Sequence, residues 1–235
     1  MGRNDWNAVI TEGLGTFLFF LIGMGAALTA QAGSAGLIQV ALAHGLVLAV
    51  LVSSLGAVSG AHFNPAVTFG VWISGNIPSR RALAYVLAQL IGAVLAGLAL
   101  TAVYPISTGL GTPALASNID PIVGIGIEAL LTLILVLAVF GTAIDPRAPK
   151  VGGLAIGLAI TVDILMGGNL TGAAMNPARW FGPAAVTGNF TNSPVWILGP
   201  LLGAAVGALL YRFVLAPEAD PTRTPGTPVG GDGVG

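Results

Sequence analysis

Six long runs of the chain are apolar almost throughout, at residues 6–30, 36–58, 82–103, 122–142, 152–166 and 195–214. Each is near the ~20 residues a helix needs to cross a hydrocarbon core, so together they predict six transmembrane helices. The polar positions between the runs follow a second pattern. Two connecting stretches carry Asn-Pro-Ala, in Gly60-Ala61-His62-Phe63-Asn64-Pro65-Ala66-Val67 and Gly172-Ala173-Ala174-Met175-Asn176-Pro177-Ala178-Arg179. Asn is a favoured N-cap and Pro is tolerated at the first helical position, so each stretch predicts a helix start. Only a short helix fits after each Asn, at about 65–73 and 177–185. Irregular backbone at membrane depth has to be buried in protein or line water. Paired interrupted segments in two halves point to a binding or permeation site at the midplane. The expected function is a pore.

The two stretches are also copies of one another. Over twelve positions, 60–71 and 172–183, seven residues are identical at a register of 112 residues. Glu12 in the first run has a near-counterpart in Glu128 of the fourth. Each half holds three runs, an odd number, so the halves must cross the membrane in opposite directions as an inverted repeat. The expected architecture is an all-α membrane protein of six transmembrane helices and two reentrant half-helices. It forms one channel domain over residues 1–216, with repeats at about 6–103 and 120–215. From Pro217 onward apolar periodicity is absent, and residues 217–235 read as a disordered cytoplasmic tail.

Composition narrows function more than fold. Of 235 residues, 55% are hydrophobic and 7% charged, with a mean hydropathy of +0.91; soluble domains carry roughly 25% charged residues. Glycine in so apolar a chain serves close helix packing, and Gly92, Gly97, Gly203 and Gly207 are candidates for it. The lack of cysteine excludes disulfides and thiolate sites. A net charge of −1 argues against a nucleic-acid partner. No metal cluster and no nucleophile–base pair stands out in any run, so no cofactor, no metal and no enzymatic activity are expected. The first run ends in Ala-Leu-Thr-Ala-Gln-Ala, which resembles a signal-peptide cleavage region, yet Glu12 and five further runs indicate an uncleaved helix. Trp6 stands where a myristoylation signal needs Ser or Thr.

Charge sets orientation. Arg3, Arg80, Arg81, Arg147, Lys150, Arg212 and Arg223 fall on one side if the runs alternate, which leaves only Arg179. The positive-inside rule places both termini in the cytoplasm, and the cell (plasma) membrane is the expected location. Arg179 itself lies three residues after Asn176. A guanidinium within the span costs ~2.5–3.5 kcal/mol on insertion scales, so it needs a cavity or a partner. Pore lining is the expected role; an anchor snorkelling to the headgroups is the alternative. A capping Asn bonds its helix through its side-chain oxygen, which leaves the NH2 of Asn64 and Asn176 free to donate into a lumen. Each facing helix start adds about half a positive charge.

These stretches resemble the two signature loops of the aquaporin (major intrinsic protein) family: Ser59-Gly60-Ala61-His62-Phe63-Asn64-Pro65-Ala66-Val67-Thr68 and Thr171-Gly172-Ala173-Ala174-Met175-Asn176-Pro177-Ala178-Arg179. Thr11-Glu12-Gly13-Leu14-Gly15-Thr16-Phe17 resembles the family's first-helix motif, and the likeness runs over about 7–211. It implies a pore with Asn64, Pro65, Ala66, Asn176, Pro177 and Ala178 at its centre. Half-helix dipoles and an Arg are the established proton and cation barrier of such pores, so the same barrier is implied here. The family also implies a four-residue constriction of His44, Ile164, Ala173 and Arg179. That set, with Asp163-Ile164-Leu165-Met166-Gly167-Gly168, is similar to plant tonoplast intrinsic proteins. An aliphatic residue in place of the usual fifth-helix His implies a wider constriction, which passes water and in such relatives sometimes ammonia, urea or hydrogen peroxide.

Further roles follow from the same resemblance. His62 is expected in the cytoplasmic vestibule or as a loop brace. Glu12 and Glu128 are expected to accept hydrogen bonds from the reentrant loops, and a homotetramer is implied. Several departures bear on the solute. The ammonia-passing relatives carry another His in the third loop, which this chain lacks. Glycerol facilitators have Asp after the filter Arg and a base four positions on, where Trp180 and Ala184 stand. Ile197, where water channels usually show Trp, points the other way. The reading is a water channel, with a glycerol or urea facilitator as the alternative on the same fold. An ion-coupled transporter is the alternative from another class, with Glu12, Glu128 and Asp163 as its candidate carriers. Asp163 stands where the plant relatives have Asn, either at a wet helix end or bonded to the filter loop.

Overall fold

The computed structural model describes residues 2–33, 36–149 and 151–216. Among these the chain is helical, without strands: α1 (Arg3–Gln31), α2 (Leu37–Ser59), α3 (Pro65–Ile73), α4 (Ser79–Leu100), α5 (Pro121–Val139), α6 (Gly152–Thr171), α7 (Pro177–Thr187) and α8 (Ser193–Leu210). A short 3₁₀ turn, Ile106–Gly111, lies between α4 and α5, and wide π-type turns prolong α5 to Ile144 and α8 to Leu215. Six of the helices are long and apolar enough to span a bilayer. The expected tail, 217–235, lies outside the described residues.

Among the boundaries that differ from the sequence reading, two have a clear cause. The fourth helix, α4, starts at Ser79, three residues before the expected 82, because Arg80 and Arg81 continue the helix past its apolar part. The fifth span was expected to stop at Met166, before Gly167-Gly168. Instead α6 runs on to Thr171, since both glycines are packed: a Cβ at Gly167 would meet Leu131 Cδ1 at 2.5 Å, and one at Gly168 would meet Leu37 Cδ1 at 2.5 Å. Both half-helices start at the expected Pro, and α7 reaches two residues beyond the expected 185.

Small residues set how closely the spans cross. A Cβ at Gly45 of α2 would lie 1.8 Å from Thr161 Oγ1 and 2.5 Å from the Gly157 carbonyl, and one at Gly157 of α6 would lie 2.3 Å from the Gly45 carbonyl. The α1–α4 crossing is as tight at Gly92, where a Cβ would meet the Gly13 carbonyl at 2.2 Å. The α5–α8 crossing repeats this at Gly203, against the Ala129 carbonyl at 2.1 Å. Isoleucine, leucine and valine point outward along every span, as at Ile10, Ile38, Val50, Leu87 and Ile122. The hydrophobic periphery faces lipid, and the interior is a largely apolar core, with Phe20, Met24 and Phe63 fully buried, crossed by a seam of buried polar residues that includes Glu12, His44, Gln89, Glu128 and Arg179.

Candidate functional site: two facing half-helices and an arginine

Each reentrant loop begins where a span ends in a left-handed glycine, Gly60 at φ +89° and Gly172 at φ +81°. The loops then repeat an unfavourable backbone: Ala61 and Phe63 have φ +51° and +46°, and Ala173 and Met175 have φ +43° and +51°. Left-handed non-glycine residues cost roughly 1–3 kcal/mol each and persist only where the surroundings fix them. The fixing groups are the two buried carboxylates. Glu12 Oε1 accepts from the backbone N–H of His62 (2.9 Å) and the Ser59 hydroxyl (2.7 Å), and Oε2 accepts from Phe63 N–H (2.7 Å) and Gln89 Nε2 (2.8 Å). Glu128 Oε1 accepts from Ala174 N–H (2.9 Å) and the Thr171 hydroxyl (2.6 Å), and Oε2 from Met175 N–H (2.7 Å). The partners correspond one to one at the 112-residue register, except Gln89, which only the first loop has. The carbonyls of Ser59 and Thr171 are held in turn by Tyr85 Oη (2.8 Å) and Trp196 Nε1 (2.9 Å).

Asn64 and Asn176 cap α3 and α7 through their side-chain oxygens, Asn64 Oδ1 accepting from Ala66 N–H at 2.8 Å and Asn176 Oδ1 from Ala178 N–H at 3.0 Å. Their amide nitrogens were expected to be wholly free for the lumen. They are half committed: Asn64 Nδ2 donates to the Met175 carbonyl and Asn176 Nδ2 to the Phe63 carbonyl, each at 2.9 Å. An amide NH2 has two protons, so one N–H on each Asn remains. The exchange fixes the two helix starts face to face. Both residues border a cavity of about 110 Å³ that runs from the Asn pair past His62 and Leu135 to Ala143 and Ile144, at the bundle end that holds the described termini. His62 lines this cavity, and its ring is held by Nδ1 at 3.1 Å from Thr68 Oγ1 and by an edge contact on Tyr85.

On the other side of the Asn pair, Arg179 is 6% exposed and His44 4%. Arg179 Nε donates to His44 Nε2 at 3.3 Å, and Nη1 donates to the Gly111 carbonyl at 2.8 Å. The turn 106–111 supplies that carbonyl through three successive left-handed residues, Gly109, Leu110 and Gly111. Ile164 and Ala173 are also buried and offer only carbon. Arg179 therefore has a buried partner set of neutral acceptors, and the headgroup-anchor alternative does not describe it. Neither Glu12 nor Glu128 borders the cavity. Asp163 occupies neither of its expected places: it is 1% exposed in mid-α6, and its Oδ2 has no hydrogen bond among the described residues. Trp180 and Ala184 are buried, Trp180 stacking on Trp196 with centroids 6.2 Å apart. Ile197 faces outward while its neighbour Trp196 takes the buried position.

Sequence reasoning missed Ser59 and Thr171 as hydroxyl partners of the carboxylates, Gln89, and the Gly111 carbonyl. The first two carried a signal, since they align at the same register as the Asn residues. Gly111 carried none, because a backbone acceptor can be any residue.

The profile of the family described as Major intrinsic protein matches residues 2–211. The chain is 45% identical to the lens fiber major intrinsic protein of Lithobates pipiens over 219 residues, covering 91% of this chain and 82% of that protein. It is 42% identical to human aquaporin-1 over 226 residues, covering 91% and 84%. Its fold matches the X-ray structure of the aquaglyceroporin from Plasmodium falciparum with a TM-score of 0.81 at 25% identity, over 90% of this chain and 97% of that one. Both of these sequence relatives are animal proteins, and they do not show the expected likeness to plant tonoplast intrinsic proteins. On the match to the family profile, carried by two facing Asn-Pro-Ala half-helices inside six spans, the chain belongs to the major intrinsic protein family of membrane channels, that of the aquaporins.

Proposed function

We propose that the chain is a passive channel that conducts water down an osmotic gradient and excludes protons and ions. The observation that carries this reading is the exchange of amides between the half-helices, Asn64 to Met175 O and Asn176 to Phe63 O. It leaves one N–H per Asn at a point where two helix starts each contribute about half a positive charge. A water oxygen accepts from those donors, and a cation or a hopping proton meets the repulsion of both helix ends and of Arg179. His44, Ile164, Ala173 and Arg179 form the outer constriction, and the cavity beside His62 is the inner vestibule. Residues 1–216 are one channel domain of two inverted repeats. Both termini are cytoplasmic, the plasma membrane is the location, and the working assembly is a homotetramer with a pore in each subunit.

Ile164 in place of a ring supports passage of small neutral solutes, urea and hydrogen peroxide before ammonia. The competing reading is a glycerol facilitator, favoured by the likeness to an aquaglyceroporin and opposed by the apolar, buried Trp180 and Ala184. Stopped-flow light scattering on proteoliposomes separates them, with osmotic shock followed by urea, ammonia and glycerol gradients. Wild type should show rapid water flux and no glycerol flux. Ile164→His should lower any urea flux, and Arg179→Ala should admit protons. Absence of osmotic water flux overturns the reading, and glycerol flux as fast as water flux replaces it with the facilitator.

A further inference from the structure

The His44 ring is seated in a notch on α1. A Cβ at Gly23 would stand 2.5 Å from His44 Nε2 and 2.6 Å from Cδ2, a separation at which an alanine and this ring cannot both keep their places. Gly23 lies in the middle of α1, at no turn, where alanine would be the better helix former. The ring explains the glycine; the helix does not. Phe19, one turn away on the same face, closes the notch with its ring nearly perpendicular to the imidazole, centroids 6.0 Å apart.

Inside the notch both imidazole nitrogens are committed. Nδ1 lies 2.8 Å from the Val40 carbonyl oxygen; a carbonyl only accepts, so Nδ1 carries the proton. Nε2 is therefore the bare nitrogen, the one into which Arg179 Nε–H donates. At its far end the guanidinium is tied to Gly111 through Nη1. Two of its five N–H donors are thus spent, and three are left. The remaining two positions, Ile164 and Ala173, have no polar side-chain atom.

We propose that Gly23 is a positioning residue for selectivity. By seating His44 as the Nδ1–H tautomer, it makes the imidazole an acceptor for Arg179 and denies the lumen a histidine N–H. The side chains of the constriction then offer passing solutes donors from the guanidinium alone. Such a filter favours a solute with a compact acceptor, the oxygen of water or the carbonyl of urea. This inference rests on the reading that His44 and Arg179 form the constriction, and it names the residue that sets their geometry.

The test compares wild type, Gly23→Ala, His44→Ala and the double variant in proteoliposomes for water and urea flux. Nitrogen-15 spectra of the histidines are recorded on the same samples, with His44→Ala assigning the signals. Wild type should show His44 protonated at Nδ1 and bare at Nε2. Gly23→Ala pushes the ring off its seat toward the lumen; it should alter that signature and lower the urea-to-water permeability ratio. The drop should be on the order of tenfold, the factor one charge-assisted hydrogen bond is worth. With the ring removed in His44→Ala, adding Gly23→Ala should change nothing more, the pattern expected of a coupled pair. A Gly23→Ala protein with the wild-type ratio and spectrum overturns the proposal. So does an equal shift from Gly23→Ala in both backgrounds. His44→Ala with unaltered water and urea flux would instead overturn the filter assignment, and this inference with it.

Discussion

Replacing Glu128 by Gln tests whether the buried carboxylates hold the reentrant loops in their strained form. The carboxylate receives Ala174 N–H on one oxygen and Met175 N–H on the other. An amide has a single acceptor oxygen, so whichever way it turns, one backbone N–H faces an NH2. That lost bond to a charged acceptor is worth about 1.5–3 kcal/mol. The bond that survives becomes neutral and roughly half as strong, while the Thr171 hydroxyl can rotate to accept from the new NH2. The expected cost is about 2–4 kcal/mol, set by the sum of these terms. It should reach the pore, because the Met175 carbonyl is the acceptor for Asn64. The assay is SDS-driven unfolding in mixed micelles, followed by fluorescence of the four tryptophans, with osmotic flux measured on the same preparation. Glu12→Gln should cost a similar amount, since His62 and Phe63 N–H groups divide between its oxygens in the same way. If Glu128→Gln unfolds within ~0.5 kcal/mol of wild type, the range of an ordinary surface change, and keeps full flux, the loops hold themselves and the reasoning fails.

Three further outcomes are expected. Asp145, beyond the end of α5, pairs with Arg147 and accepts from Tyr211 Oη at 2.9 Å; the Arg147 side chain holds its carboxyl below the usual carboxylate range. Its contribution is therefore complete above the ordinary carboxylate pKa of about 4 and fades as pH falls toward the lowered folded value. The Tm difference between wild type and Asp145→Asn should accordingly shrink on acidification below about pH 4, and a difference that stays constant with pH would refute this. Gly45→Val should prevent the α2–α6 crossing from closing, at a cost of at least ~1–3 kcal/mol, seen as loss of monodisperse protein in detergent; a well-behaved variant would show that the crossing is looser than described. Asp163→Leu should raise Tm by roughly 2–4 °C or more, because it removes a buried carboxyl oxygen without a partner among the described residues and installs the residue that the first repeat carries at the corresponding position, Leu51. A fall in Tm would mean that the carboxyl is bonded after all.

The parts of this fold that are legible in the sequence are those set by local chemistry or by repetition. Runs of apolar residues give the spans, because a helix has to be about as long as the hydrocarbon is thick. Asn-Pro gives both half-helix starts to the residue, because capping is decided within one turn. Glu12 and Glu128 stand 116 residues apart, near the 112-residue register without matching it, and their part in the loops is legible through the family resemblance. The end of α6 is not legible: Gly167 and Gly168 look like a stop, and only Leu131 and Leu37, on other helices, show that they are contact points. The commitment of the Asn amides is invisible for a similar reason, since their acceptors are carbonyls 111 and 113 residues away. The partner of Arg179 at Gly111 depends on a turn whose three left-handed residues include Leu110, a residue that seldom advertises such a backbone. Gly23 reads as one small residue among many until the His44 ring is seen beside it.

The amide exchange between the two halves also bears on how the protein is made. In a chain made from N- to C-terminus, α1, α2 and α4 are complete long before Met175 exists, so the first loop waits with Asn64 half satisfied and its helix start uncovered. Neither loop can reach its final form alone, because each needs a carbonyl from the other. The three spans of the first half can cross the bilayer early, but the contacts that define the lumen carry a large loop-closure entropy and form late. A half-made molecule therefore lacks a finished conduit, and the membrane is spared a leak until synthesis of the second half is done.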